Sequence, residues 1–415
     1  MSECRDVIAV VDVADRPLVR LGEFGLPTLV GDGWPSVPDI ATFVGGSGLL
    51  PLSPAVRLSD EPRVVLRVLT AGSAEVGEWR KLEDAGEHGE AVARFVDEWT
   101  GRRARPAKRP DWYRSGWLAE IDTWIDAVLA VSGRRRSAPT EVVQMWSLSA
   151  VLKVACDGEV VYVKASCEHF RAEARITEVV AGWPAGAVPD VIAAEADRGW
   201  LMMAPLPESV DSADDAAEPV VAAAERLALL QLQSMPRRRE LSDCPDRTLA
   251  KTLAQFAPLV ETSLERDELS PAEIAAMRTT LPRLASVVEE LDGCGMPSVL
   301  AHGDLHRGNL AWDGRNVVLF DWSDSCWSHP ILDVYHLTAH VPDEVRAPAL
   351  DAYEQVWRAA FPDAEIERAL ELAPTVDMMF QAVSYEGLVR AVEPMSRWEI
   401  GGMVARNLRR LGTSD

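Results

Sequence analysis

Positive charge is in short supply. Across 415 residues, 42 Lys+Arg stand against 65 Asp+Glu, a formal net charge of −23 at pH 7. That deficit argues against general affinity for nucleic acid or an anionic membrane, and it would suit a cationic small molecule. No apolar run approaches the roughly 20 residues that a membrane helix needs. The opening MSECRDVIAVVDVADRP has no basic stretch leading into an apolar one, so no secretory signal is expected. The six cysteines (Cys4, Cys156, Cys167, Cys244, Cys294, Cys326) are far apart and form no CxxC. A disulfide framework or zinc site is therefore not expected, and the thiols read as reduced, in a cytoplasm. Cys294 and Cys326 read as small buried apolar residues. There is no internal repeat and no low-complexity tract.

What is present is ordinary globular usage, 47% apolar and 26% charged, in a length that implies two or three domains. Arg63–Thr70 (RVVLRVLT) reads as a buried strand, and the acidic stretch Lys81–Thr100 as helical. In GRRARPAKRP, residues 101–110, five basic residues and two prolines sit together without an acid, which reads as a linker. Trp112–Val131 follows as an amphipathic helix, with Trp117, Ile121, Trp124, Ile125 and Val128 on one stripe. Glu141–Ala165 reads as three short strands. Asp157-Gly158 makes a hairpin turn between the second and third. A helical stretch, Glu168–Ala181, and two further strands, Val188–Ala193 and Trp200–Ala204, complete a small antiparallel sheet. From Asp215 onward the chain is mainly helical. Ser270-Pro271-Ala272-Glu273 is a capping box, and Pro282 is expected to kink or break the helix it starts.

The informative segment is Ala301–Asp333, AHGDLHRGNLAWDGRNVVLFDWSDSCWSHPILD. Asp304 follows one apolar run, Ser298–Ala301, and Asp321 follows another, Asn316–Phe320. Asp313-Gly314 lies between these runs, which are expected to pair as a hairpin and bring Asp304, Asn309 and Asp321 together. Mg²⁺ takes oxygen ligands and commonly one or two carboxylates plus phosphate oxygens, which Asn309 and Asp321 suit. Asp304 is left as an acceptor for a substrate hydroxyl proton, as phosphoryl transfer requires.

His302-Gly303-Asp304-Leu305-His306-Arg307-Gly308-Asn309 is similar to the catalytic loop of the aminoglycoside phosphotransferase-like (choline kinase-type) small-molecule kinases. Asp321 in FDW resembles that family's metal-binding aspartate, and Asp333 in HPILDV its downstream structural aspartate. The resemblance spans about Val142–Arg390. It implies an α+β, bilobal protein-kinase-like fold with a small antiparallel β N-lobe and a mostly helical C-lobe. It also implies ATP and Mg²⁺ as cofactors. Lys164 in VVYVKAS would hold the nucleotide phosphates, oriented by Glu173 on the next helix, or else by Glu178. LMMAPLP would be the hinge, where backbone at Met203 and Ala204 meets adenine; Pro205 has no N–H to give. The turn Trp146-Ser147-Leu148-Ser149 lacks the glycines a protein kinase places over phosphate, so Ser147 and Ser149 would offer hydroxyls and amides instead.

The first hundred residues resemble the N-terminal cap of actinobacterial sugar kinases of the maltokinase and glucosamine kinase type. The implied organisation is 1–110 cap and linker, 111–207 helix wedge and nucleotide-binding lobe, and 208–415 catalytic and acceptor lobe. Asp324 and His306 are candidates for the acceptor, with Gln381, Glu386 and Trp398 from the last helices. Glu386 reads equally as the partner of Arg390 at i+4, and Asp324 as a turn cap. His329, His336 and His340 read as structural. The expected partners are a nucleotide and a small sugar, aminosugar or aminoglycoside, with monomer or dimer left open. A protein kinase is disfavoured, because eleven residues between Asp321 and Asp333 leave no room for a peptide-docking segment. The same motifs would also be carried by an antibiotic-resistance kinase, or by a nucleotide-binding module without catalysis.

Overall fold

The computed structural model describes residues 4–13, 17–22, 26–31, 34–60, 63–70, 73–74, 78–212 and 217–413. These fall into two compact units, Met1–Glu168 with Ala391–Glu399, and His169–Arg390 with Ile400–Asp415. Among the described residues no helix is long and apolar enough to cross a membrane.

The first unit opens on the strand Cys4–Asp12, whose interior is almost continuously buried. It pairs in parallel with Arg63–Thr70 along the whole of that strand, from Cys4↔Arg63 to Val11↔Thr70. Both faces of the pair must therefore be covered, and the helix Gly89–Thr100 brings Val92, Phe95 and Val96 against Val7, Val11, Leu66 and Val68. The sequence predicts helix from Lys81, but Glu78–Lys81 is a strand and Leu82–His88 a 3-10 turn before the regular helix begins.

The basic stretch 101–110 does not behave as a linker throughout. Arg109 is buried and bonds Glu98 at 2.6 Å and Glu393 at 2.9 and 3.0 Å. Two acids from distant segments supply what the local composition lacks. The next helix is Trp117–Val131, preceded by a separate turn at Asp111–Tyr113. Its buried stripe is Trp117, Ile121, Ile125 and Leu129, in steps of four; Trp124 and Val128 lie at its margin.

A three-stranded antiparallel ribbon follows, Glu141–Met145, Ser149–Cys156 and Glu159–Ser166. Asp157 (φ 47°) and Gly158 (φ 86°) form the two-residue turn that the Asp-Gly pair predicts. Val161, Val163 and Ala165 point into the core, so Lys164 lies on the other face, opposite Val151.

In the second unit the helix Ala172–Ala181 precedes a two-stranded ribbon, Val191–Glu195 with Trp200–Met203. The helices that follow include Ala217–Ser234, Pro271–Asp292, Asp343–Ala360, Ile366–Ala391 and Met403–Thr413; Ala216 lies outside the described residues. The capping box at Ser270 forms with both reciprocal bonds. Pro282 does not break its helix. Ile274 and Met277 before it and Leu284, Val288 and Leu291 after it are all buried on one face. Burying both halves outweighs the roughly 3 kcal/mol that an interior proline costs.

The hairpin expected between Ser298–Ala301 and Asn316–Phe320 is not the one formed. Val299–Ala301 pairs with Cys326–Ser328, whereas Val317–Leu319 pairs with Leu310–Trp312. The Asp313-Gly314 turn joins the nearer strands, because a tight turn can only link neighbours in sequence. The two ribbons together deliver the loop ends that carry the candidate site.

Candidate active site

The loop after Val299–Ala301 is held from behind by one carboxylate. Asp333, in the first turn of the helix Ile331–Thr338, accepts from the amides of His302 (2.8 Å) and Gly303 (3.0 Å). Gln231 donates to the same carboxylate at 3.2 Å, and is itself fixed by Tyr353 (2.9 Å) and Trp357 (3.2 Å). The His302 ring is buried over Trp322 and donates from Nε2 to the Phe320 carbonyl at 3.0 Å. Burial holds His302 below its ordinary pKa. One loop is thus tied to the other through a neutral imidazole.

Asp304 follows, its side chain 41% exposed. His306 Nε2 lies 3.7 Å from Oδ2 and His336 Nε2 3.4 Å from Oδ1. Burial pushes the Asp304 carboxyl up, but the two imidazoles outweigh it and hold the group well below the usual carboxylate range. Asp304 is therefore ionised and ready to accept a hydrogen bond. His306 is fixed by the Gly308 amide, which donates to Nδ1 at 3.0 Å. A side chain at Gly308 would strike that ring, its Cβ 2.7 Å from Cε1.

Asn309 is buried and donates from Nδ2 to the Asp304 backbone carbonyl at 2.8 Å, which turns Oδ1 the other way. The Phe320 amide donates to the Asn309 carbonyl at 3.0 Å, so Asn309 and Asp321 sit at adjoining strand ends. Asp321 has φ 62°, a left-handed backbone that swings its carboxylate out of the strand direction. Ser323 Oγ donates to Asp321 Oδ1 at 2.6 Å. Among the described residues no group of three or more His, Cys, Asp or Glu side chains is arranged to hold a metal by itself. An amide oxygen and one carboxylate fit instead the partial, all-oxygen set that Mg²⁺ uses when phosphate and water complete its shell.

The helix Ile366–Ala391 presents Asp377, Gln381 and Tyr385 at successive i+4 positions. Burial, then the nearby charges of Asp304 and Asp324, push Tyr385 up to about 12. Sequence reasoning misses Asp377, whose Oδ1 lies 3.8 Å from His336 Nδ1. The available signal is its place one helical turn before Gln381. His336, expected to be merely structural, stands between Asp304 and Asp377. His329 does keep that role, buried and pushed down to about 3.

Two expected acceptor residues are engaged by the chain. Glu386 is buried and accepts from Ser263 Oγ (2.7 Å) and the Leu264 amide (3.2 Å), with Arg390 at 2.7 Å. Trp398 belongs to the other compact unit, stacked on Trp34 at 5.1 Å and donating to the Ala55 carbonyl at 3.3 Å. Among the expected nucleotide residues, Glu173 is buried, whereas Glu178 is at the surface beside Arg175 at 2.8 Å. Ser149 Oγ accepts from the Trp146 indole at 2.9 Å, and Ser147 is buried beside Glu399. The Ala204 amide donates to the Asp190 carbonyl at 3.0 Å, so hinge donation at that N–H is already used.

The profile of the APH phosphotransferase enzyme family matches residues 146–370, more than half of the chain. The protein belongs to that family. It is a small-molecule kinase, and every element of the loop just described lies within the matched region. A choline kinase of Cryptosporidium parvum Iowa II is similar in structure, with TM-score 0.51 at 12% identity, covering 71% of this chain and 94% of that one. A choline kinase of Streptococcus pneumoniae gives 0.50 at 11%, covering 70% and 97%. A macrolide 2′-phosphotransferase of Brachybacterium faecium gives 0.48 at 17%, covering 69% and 98%. For the two choline kinases, at these identities, the likeness is one of fold, the α+β protein-kinase-like architecture. No curated protein sequence matches the kinase significantly.

Proposed function

We propose that the kinase transfers the γ-phosphoryl group of ATP to a hydroxyl of a small aminosugar. The observation that carries this reading is an ionised Asp304 beside an oxygen pair, Asn309 and Asp321, on loops fixed by Asp333 and His302. Asp304 orients the acceptor hydroxyl and takes its proton as the new O–P bond forms. Asn309 and Asp321 would hold Mg²⁺, which neutralises charge on the phosphates. Lys164 and Glu173 are assigned to the nucleotide phosphates together with Ser147 and Ser149, and the hinge backbone at Met203 and the Ala204 carbonyl to its base. Residues 1–110 would be a cap, 111–207 the nucleotide lobe and 208–415 the acceptor lobe.

The acceptor's amine is supported by acids around the loop. Asp304, Asp324 and Asp377 all act on Tyr385, and the net charge of the chain is −23. The same acids suit a polycationic aminoglycoside, which is the second reading. Gln381 would contribute hydrogen bonds from the helix face it shares with Asp377.

The test is ADP release by the purified protein with Mg·ATP over a panel of sugars, aminosugars and aminoglycosides. Release dependent on glucosamine or a near relative is expected. Asp304→Asn is expected to fold normally and lose at least about 100-fold in kcat. Near-normal turnover of that variant would overturn the assignment, and a response confined to aminoglycosides would select the second reading.

A further inference from the structure

His336 lies on the helix that anchors the catalytic loop. Asp333, three residues earlier, occupies the same helical face and takes the amides of His302 and Gly303. One helix face therefore holds the loop backbone at Asp333 and approaches the Asp304 carboxylate at His336. The His336 ring is bracketed on both nitrogens, by Asp304 Oδ1 at 3.4 Å and Asp377 Oδ1 at 3.8 Å. On the far side of the carboxylate His306 faces Oδ2, its ring 6.4 Å from that of His336. The two imidazoles are not equivalent. The His306 side chain is 47% exposed, where an acceptor would enter, whereas His336 is 25% exposed and backed by a side chain of 15% exposure, Asp377.

We propose that His336 is a positioning residue for Asp304, that Asp377 is its anchor, and that the three side chains form a carboxylate–imidazolium–carboxylate relay of orientation. This rests on Asp304 being the group that orients the acceptor hydroxyl. His336 fixes Oδ1 and leaves Oδ2, which His306 approaches only to 3.7 Å, to face the acceptor hydroxyl. A cation at Oδ1 also weakens Asp304 as a base, so the aspartate acts chiefly by orientation and receives the proton late, as a loose phosphoryl-transfer transition state allows. Burial lowers the His336 pKa, but Asp304 and Asp377 overcome it and push it up to about 10, so the bridge is charged at neutral pH. The other groups around this trio are His306 and Asp324 from the loops, Tyr335 on the same helix, Tyr385 from the Asp377 helix, Arg346 from the helix Asp343–Ala360, and Arg406 and Arg410 from the last helix.

Two measurements on the full chain test this. The first needs no acceptor: imidazole NMR titration, with the His336 signal assigned by its loss in His336→Gln. His336 is expected to remain protonated through pH 8.5, and Asp377→Asn and Asp304→Asn are each expected to lower its midpoint by at least one pH unit. A wild-type midpoint near 6.5, the ordinary histidine value, would overturn the bridge whatever the acceptor is. The second uses the acceptor found by the panel. His336→Gln is expected to lower kcat about 10- to 100-fold, with KM for ATP and acceptor within about twofold, as for other residues that orient a reacting group. Asp377→Asn, which leaves the ring in place should His336→Gln fold poorly, is expected to lower kcat by less, and the double variant no further than His336→Gln. Unchanged kcat in both single variants, or a loss confined to acceptor KM, would refute the positioning role. If Asp304→Asn alone retained turnover, the reading of Asp304 would fail while the NMR coupling stood, so the two failures are separable.

Discussion

Gly303 is where the catalytic loop passes closest to its neighbour. Its φ is 86°, and a Cβ there would collide with the Asp324 carbonyl oxygen and lie 2.8 Å from its carbon. Both obstacles are backbone, so no side chain can move aside. Gly303→Ala must shift either the loop or the Asp324 turn, and it strains a left-handed residue as well. The expected result is a loss of about 2–3 kcal/mol in urea unfolding, with kcat falling more than KM for ATP. A variant of wild-type stability would refute this close approach. Residues of this kind are legible in the sequence. Phosphoryl transfer needs an aspartate, an amide or carboxylate pair and a tight turn at fixed spacing, and His302–Asn309 with Asp321 carries them in a contiguous string. His336 and Asp377 are not legible, because neither has meaning alone. A histidine on a helix is ordinary until a carboxylate 41 positions on in the chain is folded against it. Glu386 misleads for the converse reason: its chemistry suits an acceptor, but Ser263 and the Leu264 amide, more than a hundred positions away, consume it.

Elements are legible where the deciding contacts are local. The strand Arg63–Thr70, the Asp157-Gly158 turn and the Ser270 capping box are each set by a few adjacent residues, and each forms as expected. The pairing of Val299–Ala301 with Cys326–Ser328 is not, since nothing within either strand names its partner. The stretch 101–110 is a sharper case. Its composition reads as solvated, yet the Arg109 side chain is only 1% exposed, between Glu98 and Glu393. Those bonds tie the end of the helix Gly89–Thr100 to a segment that returns almost three hundred positions later. Removing the cation leaves Glu393 buried without this partner and Glu98 with only Arg94, at 4.0 Å, which costs more than the ion pair itself contributes. Arg109→Met is expected to lower stability by about 3–5 kcal/mol. The triple change Arg109→Met, Glu98→Gln, Glu393→Gln should recover part of that loss, as read from urea midpoints. Equal destabilisation in the single and triple variants would show that packing of the side chain, not its charge, is what matters there.

At the scale of the whole molecule the histidines set opposite pH limits. His302 and His329 are buried neutral and held below the ordinary value, His329 at about 3. The unfolded chain takes up their protons first, so the stability they permit is full above pH 6.5 and falls as pH drops below it. His336 has the opposite sign. Its pKa is raised to about 10, so its stabilisation is complete below pH 6.5 and is lost as pH rises from there towards 10. Asp304, held low, contributes above the ordinary carboxylate range and adds nothing to the alkaline side. Cys326, pushed up to about 12 by burial, adds a second alkaline loss only above pH 8.5, where unfolded thiols ionise. On the histidines alone stability would peak near pH 6.5; Glu399, pushed up to about 7 by burial, costs stability as pH rises from about 4.5 to 7 and draws the optimum below that value. Between 6.5 and 8.5 stability should decline by roughly 1–2 kcal/mol, after allowance for the partial exposure of the His336 pair. His336→Gln should remove that alkaline decline and leave the acid limb in place, because His302 and His329 are untouched. Urea midpoints at pH 5, 6.5 and 8.5 for both proteins decide it: parallel alkaline limbs would mean that the decline comes from elsewhere, and that the bridge between Asp304 and Asp377 carries little of the fold's stability.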